Sequence, residues 1–416
     1  MTSRKTWGPI KLPFLPGIPT GDPVGGAIPR ADEGVRNVAV SDPASVAHDA
    51  APPDSGWQVV GAAIAAKILF FVFGAESYLI LGNQPTHGIR EWLGVFNRWD
   101  SVHYLNIAEH GYGPDGPSRD LLAFFPGYPW AVRASHLLFQ DYLLSGLFVS
   151  SVSSVVAAVL LFRLAELEFS RQVARRALWF LLIFPTSYFL HVAYAEPFFL
   201  ALVLGCFLAS RMNLWTHSGI LGLLAGLTRI NGLVLIPVLA YEAGRRYFDT
   251  RRFEWRWLAS FGPALGFCGY LLVNLKTTGN PFTFLTVQKE HWYKQLAPPW
   301  IGISETINSI RWRGPADSQT LGAQEFLFII LGLACTIYCW YRLRRSFAIW
   351  MTGNWLLFTS TSFVYCVPRY TLTLFPVFLI FAVAARNWLL GAIITMWSLL
   401  FLSLFTSQFV RGNWAF

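Results

Sequence analysis

Charge is what this sequence has least of. Asp, Glu, Lys and Arg make up 13% of its 416 residues, about half the ~25% typical of soluble globular proteins. That shortage excludes an ordinary water-soluble domain. Cysteine is also scarce. The five (Cys206, Cys268, Cys335, Cys339 and Cys366) all lie in apolar runs, which argues against a disulfide framework. Cys335 and Cys339 share a helix face at i,i+4 but lack companion metal ligands, so all five read as small buried hydrophobes. No P-loop, GxGxxG fingerprint, HExxH or Ser-His-Asp order is present. Residues 1–56 contain no early apolar core, so this segment is not expected to act as a secretory leader. They hold nine Pro and seven Gly with scattered charges, and are expected to form a disordered tail. Arg4, Lys5, Lys11, Arg30 and Arg36 favour a cytoplasmic place for it.

What is abundant is apolar and aromatic. The chain is 54% hydrophobic, with 18 Trp and 35 Phe, as suits lipid-facing helices with aromatic belts. The fold class expected is all-α, a polytopic membrane bundle over residues 57–416. Lys and Arg on cytoplasmic loops beside anionic membrane lipids account for the net charge of +9 without any nucleic acid partner. Apolar runs at residues 59–81, 143–164, 177–190, 198–209, 258–275, 324–342, 349–366, 371–385 and 388–409, together with a broken run, predict about nine to eleven transmembrane segments. The basic flanks then place residues 82–140 and 276–323 outside the cytoplasm as two long outer loops. Lys67 is expected to snorkel inward, with Glu76 near the outer end of the same helix.

The broken run is residues 218–241. Basic flanks on both sides demand that its two ends face inward, yet it is interrupted by Thr228-Arg229-Ile230-Asn231-Gly232. It should therefore be two half-length helices, residues 218–227 and 233–243, each rising about 15 Å. Gly222 and Gly226 form a GxxxG face for the close approach of such a hairpin. Arg229 at its tip needs an anionic partner, either a protein carboxylate or a ligand phosphate.

Unusual polar residues gather toward the outer side: Glu76, Arg98, Asp100, His103, Glu109, His110, His191, Glu196, Arg229 and Arg369. The densest stretch is FNRWDSVHYLNIAEHGY, residues 96–112. In a helix, Asp100, His103 and His110 share roughly one face, with Gly111 as its end. FFPGYPW, residues 124–130, has two prolines in four residues and should be a bend or a helix start. Carboxylates beside arginines suit a phosphate-bearing lipid and a hydroxyl acceptor. Arg grips phosphate, and a carboxylate takes the hydroxyl proton.

The motifs RWDSVHYLNIAEHGY, FFPGYPW, FPTSYFLHVAYAEPFFLAL, LTRINGL and PRYTLTLFP resemble, in that order, the PIG-V mannosyltransferases, over residues 62–416. The resemblance implies a bundle of the GT-C glycosyltransferase class. It also implies a polyprenyl-phosphate sugar donor and a reaction on the extracytoplasmic face. The acceptor would be a glycolipid or a glycan, and the family's outer-loop acid falls on Asp100. In the reading that follows, Asp100 is the catalytic base and Arg229 and Arg369 hold the donor phosphate. Sugar or acceptor would meet Arg98, His103, Glu109, His110, Tyr128, His191, Glu196 and Tyr370. No cofactor is called for; a divalent metal shared by carboxylate and phosphate is an alternative that lacks a DxD pair in the outer loop. Gly127 stands where the family pattern carries a larger apolar residue. The rival reading is a transporter or flippase without transferase activity, with polar groups lining a path across the midplane.

Overall fold

The computed structural model describes residues 56–83 and 85–416. The tail expected over residues 1–56 thus lies, but for Gly56, outside the described residues. Everything described is helix, turn or loop, apart from one isolated bridge between Leu296 and Thr361. In chain order, the helices that position the site are α1 (Gly56–Gly82), α2 (Asp100–His110), α3 (Gly127–Phe139), α4 (Tyr142–Glu168), α5 (Arg171–Ile183), α6 (Ala195–Arg211), α7 (Trp215–Thr228), α8 (Leu235–Thr250), α9 (Gly262–Thr278), α10 (Glu325–Arg342), α11 (Val367–Thr371) and α12 (Trp388–Val410).

Among the described residues, five helices are long and apolar enough to cross a bilayer: Gly56–Gly82, Tyr142–Glu168, Trp255–Thr278, Pro315–Arg342 and Trp388–Val410. At most 44% of any such span is buried, so much of their apolar surface faces outward, where only lipid can cover it. This is a polytopic all-α membrane protein. The other apolar runs form shorter helices, such as the 13-residue α5 and the 17-residue α6. Pro185, Pro197 and Pro368 interrupt or start these pieces, and irregular backbone is tolerated here because it is packed inside the bundle. The difference from nine to eleven segments lies in these interior helices.

The broken run behaves as a re-entrant pair. Helix α7 ends at Thr228, and Arg229 is extended (φ −156°, ψ 150°). A 3₁₀ turn, Ile230–Val234, leads into α8. Helix α8 then comes back to where α7 began. Arg246 donates to the carbonyls of Ser210 (3.3 Å) and Arg211 (3.1 Å), and its guanidinium lies 5.9 Å from the Trp215 ring centroid. The arms, of 14 and 16 residues, rise about 21 and 24 Å rather than 15 Å, because both helices run on into the polar ends of the segment. The GxxxG face is used differently from the expectation. A Cβ on Gly222 would approach Pro263 Cγ at 2.9 Å, and one on Gly226 would strike the Pro263 carbonyl. The small residues thus seat α7 on α9 rather than on its sister arm. The sister-arm contact is made by Gly232, where a Cβ would come within 2.6 Å of the Ala225 and Gly226 backbone.

Helices α6 and α7 are joined by a three-residue turn and pack antiparallel. Running back along α6 from Arg211 to Glu196 covers about 22 Å, and running along α7 to Arg229 covers about 21 Å. The geometry alone therefore sets Glu196 beside Arg229. At the opposite end of the bundle is a second ionic group. Glu168 pairs with Arg211 and, at 3.4 Å, with Arg344, which also lies 3.8 Å from Glu242.

One expectation about α1 is corrected. Lys67 does not snorkel toward the basic end. Its Nζ lies 3.1 Å from His191 Nδ1 and 3.3 Å from the Leu190 carbonyl. Partners inside the bundle hold its ammonium.

Candidate active site

Asp100 opens α2. The residue before it, Trp99, caps the helix with φ 55°, a backbone state that costs a large side chain of order 1–3 kcal/mol. Trp99 is held there by a hydrogen bond from its Nε1 to the Asn413 carbonyl (3.2 Å) and by an edge contact with Trp414 (5.3 Å). Tyr194 donates its hydroxyl to the Arg98 carbonyl at 3.1 Å. The turn that aims Asp100 is thus fixed from two sides. At its far end, α2 stops where expected, with Gly111 at φ 82° and its N–H on the Ile107 carbonyl.

Four charged side chains from distant parts of the chain form one relay. Arg369 Nη1 donates to Asp100 Oδ2 at 2.7 Å. Arg369 Nε lies 3.3 Å from Glu196 Oε1. Arg229 Nη1 donates to the same Glu196 oxygen at 2.5 Å. Glu196 is 1% exposed, Arg369 7%. The order Asp100–Arg369–Glu196–Arg229 alternates in sign, as buried charges must if they are to offset their desolvation. Burial works against the Arg369 charge, but Asp100, and behind it Glu196, hold the guanidinium protonated well above its ordinary range. Arg229 thus has a protein carboxylate as its partner, the first of the two alternatives.

Aromatic rings enclose the relay. The Arg369 guanidinium lies 5.4 Å from the Phe189 centroid, 5.7 Å from Tyr194 and 5.5 Å from Tyr370. Arg229 lies 5.3 Å from Tyr370 and 5.9 Å from Phe199. Such contacts contribute ~0.5–2 kcal/mol each. Arg369 is aimed by its own turn. Cys366 is left-handed (φ 70°), and the N–H groups of Cys366 and Val367 donate to the two oxygens of the buried Glu325 carboxylate at 2.6 and 2.8 Å.

The remaining sequence candidates divide. His103 lies one turn along α2 from Asp100, on the same face. Its ring meets Phe124 at 5.2 Å and Trp292 at 5.9 Å. Burial lowers its pKa below the usual value, with Asp100 pulling the other way and His291 adding to the drop. Tyr370 is in the centre of the cluster. Arg98 is turned away, its Nε on the Val95 carbonyl (3.2 Å) and its guanidinium near Tyr78. Glu109 and His110 are exposed, about 14–15 Å down the helix axis from Asp100; Glu109 points to the opposite face, and sharing a face does not bring His110 to the site. Tyr128 is fully buried and its hydroxyl is satisfied by the Gly146 carbonyl (3.0 Å) and Ser150 (2.8 Å). It stands behind Tyr104, edge to face at 5.2 Å, as wall rather than lining. His191 is buried against Lys67 and stacked on Phe70 at 4.8 Å.

Gly127 has a packing reason. A Cβ there would lie 2.5 Å from Thr228 Oγ1 and 3.0 Å from the Leu227 carbonyl, so the start of α3 rests directly on the tip of the re-entrant pair. Sequence reasoning missed Glu325 and Lys294, whose Nζ lies 5.7 Å from the Tyr370 centroid. An acid at the head of an apolar run was a usable signal for the first; a lysine in a polar loop gave none for the second. No group of three or more His, Cys, Asp or Glu among the described residues is arranged to hold a metal ion.

Residues 86–261 match the family model described as Mannosyltransferase (PIG-V). The chain is 34% identical over 170 residues to GPI alpha-1,6-mannosyltransferase 2 of Rattus norvegicus, covering 38% of this chain and 34% of that protein. The corresponding Homo sapiens protein is 32% identical over 171 residues, 38% of this chain and 34% of its own. The chain thus aligns with about a third of the length of the curated relatives it matches. The family read from the motifs is the one found, over residues 86–261 rather than 62–416, so that PRYTLTLFP lies beyond the match. The matched stretch holds Asp100, Glu196 and Arg229; Lys294, Glu325 and Arg369 lie beyond it.

Proposed function

We propose that this protein is an integral-membrane mannosyltransferase. It moves mannose from polyprenyl-phosphate mannose to a lipid-linked or glycan acceptor on the extracytoplasmic face. The observation that carries the reading is the relay itself, in which residues 100, 196, 229 and 369 meet through contacts of 2.5–3.3 Å within a chain that resembles mannosyltransferases.

The chemistry follows from the free atoms. Arg369 holds Asp100 by Oδ2, leaving Oδ1 for the acceptor hydroxyl. Asp100 takes the hydroxyl proton as that oxygen attacks the anomeric carbon of a β-linked donor. The bond from that carbon to the phosphate oxygen breaks, its electron pair leaves with the phosphate, and polyprenyl phosphate departs as mannose is transferred with inversion. The guanidinium N–H groups of Arg229 and Arg369 not used on carboxylates face the developing phosphate charge, a preorganised electrostatic role. His103, neutral near pH 7 by its lowered pKa, can accept or donate a hydrogen bond to a sugar hydroxyl without adding charge. The extracytoplasmic placement rests on charge asymmetry. Arg211, Arg245, Arg246 and Arg344 sit at the end away from the relay, as cytoplasmic loops do.

The test is transfer by the purified protein in lipid nanodiscs, with radiolabelled polyprenyl-phosphate mannose and a panel of glycolipid and glycan acceptors. Acceptor-dependent loss of label from the donor is expected. Transfer from nucleotide-linked mannose but none from the lipid donor overturns the reading. Movement of unaltered lipid across the bilayer without transfer would favour the flippase instead.

A further inference from the structure

Resting on that reading of the site, we infer that Lys294 is the primary protein ligand of the donor's phosphate, and that Arg229 and Arg369 act behind it. Three cations surround the Tyr370 ring. Arg229 lies 5.3 Å from its centroid, Arg369 5.5 Å and Lys294 5.7 Å. No two of them are therefore more than about 11 Å apart, so one phosphate group among them feels all three. They differ in what already holds them. Arg229 is bound to Glu196, and Arg369 to both Asp100 and Glu196. Lys294 has no carboxylate within ion-pair distance among the described residues. The carboxylate of the neighbouring Glu325 is turned onto the N–H groups of Cys366 and Val367. The two carboxylates of the relay thus answer two of the three positive charges, and the third is left for a ligand.

Of the three, Arg369 is buried, whereas Arg229 and Lys294 are half-buried, with Lys294 on a loop. That loop is fixed. The Lys294 N–H donates to the Gln288 carbonyl (2.8 Å), Ala297 N–H to Ser360 (3.2 Å) and Ser362 N–H to Gln295 (2.8 Å). These bonds stitch the loop to the residues that lead into α11, and so to Tyr370 itself. An ammonium on a flexible stem is a point charge with three donors. That suits a phosphate diester whose charge rises from one to two negatives as the bond to the sugar breaks. A cation without a standing partner contributes most where that charge develops.

The shared chemistry is a phosphate ester on a lipid, which either the donor or an ordinary anionic phospholipid can supply. The experiment separates them. Full-length wild type, Lys294→Met, Lys294→Arg and the exposed control Lys289→Met are placed in phosphatidylcholine nanodiscs. Equilibrium binding of radiolabelled farnesyl phosphate is measured, with farnesol as the phosphate-free analogue and phosphatidylglycerol as competitor. Thermal midpoints confirm that each variant is folded. Wild type is expected to bind farnesyl phosphate and not farnesol. Lys294→Met should weaken binding at least tenfold, Lys294→Arg should stay within threefold, and Lys289→Met should be unchanged. Undiminished binding by Lys294→Met removes Lys294 from the phosphate site while leaving the donor reading intact. Displacement by phosphatidylglycerol at comparable concentration assigns the cation to bulk lipid and overturns the inference. A wild type that does not bind farnesyl phosphate at all brings down the donor reading, and this inference with it.

Discussion

Glu196→Gln is the sharpest perturbation of the relay. It removes one charge and keeps the side-chain volume. Glu196 Oε1 receives Arg229 at 2.5 Å and lies 3.3 Å from Arg369 Nε, and the residue is 1% exposed. At an effective dielectric of ~20, each contact corresponds to about 5–7 kcal/mol of gross attraction. Desolvation offsets much of it, and breaking a buried ion pair from one side costs about 3–5 kcal/mol net. Here the loss leaves two buried guanidiniums facing a neutral amide, so the upper part of that range is expected. It equals a change of roughly 10³–10³·⁷ in the folded-to-unfolded ratio. The assay is reversible unfolding of the purified protein in mixed micelles, followed by tryptophan fluorescence. Arg229→Met and the double variant complete a cycle. A coupling of about 2–3 kcal/mol between the two sites is expected. A single-variant loss under about 1 kcal/mol, or a coupling near zero, would refute the relay as a structural unit.

Three further outcomes follow from named contacts. Gly127→Leu should lower stability by about 1–3 kcal/mol through overpacking, since its Cβ meets Thr228 Oγ1 at 2.5 Å; adding Thr228→Ala should restore part of the thermal midpoint, and no restoration would place the clash elsewhere. Glu325→Gln should leave one of the Cys366 and Val367 N–H groups without an acceptor, at about 1–3 kcal/mol, and speed hydrogen exchange across α11; unchanged exchange there would free Glu325 from its positioning role. His103 has a folded pKa depressed chiefly by burial, so the folded state binds its proton less readily than the unfolded chain does. Its contribution to stability is complete above the ordinary histidine pKa near 6.5 and is lost as pH falls from there through the folded value. His103→Gln should flatten that part of the stability profile, and an unchanged acid slope would assign it to other groups.

Much of the site was legible because it rests on rules with a short range in sequence. Asp100 and Gly111 bound α2 as helix start and stop residues do. The break at Arg229 was forced by basic flanks on both sides of one apolar run. Its consequence, an arginine at the tip of a re-entrant pair, needed only helix lengths. What sequence periodicity cannot supply is which distant element fills each contact. Gly222 and Gly226 advertised a close approach but not its partner, which is Pro263 on α9. Lys67 found His191, 124 residues away. Angular periodicity put His110 on the face of Asp100, yet axial distance separates them. Tyr128 carried a hydroxyl that the sequence could not show to be satisfied by Gly146 and Ser150. Lys294 became visible only when the residues leading into α11 were brought against its loop.

The catalytic assignment of Asp100 is tested most directly by single-turnover mannose transfer with Asp100→Asn at saturating lipid donor. Asn keeps the shape and still accepts a hydrogen bond from Arg369, while losing the basic carboxylate. The expected result is a fall in the transfer rate of about 10²–10⁴-fold, the usual contribution of a general base, with farnesyl phosphate binding within threefold of wild type. Transfer at the full wild-type rate would contradict the assignment.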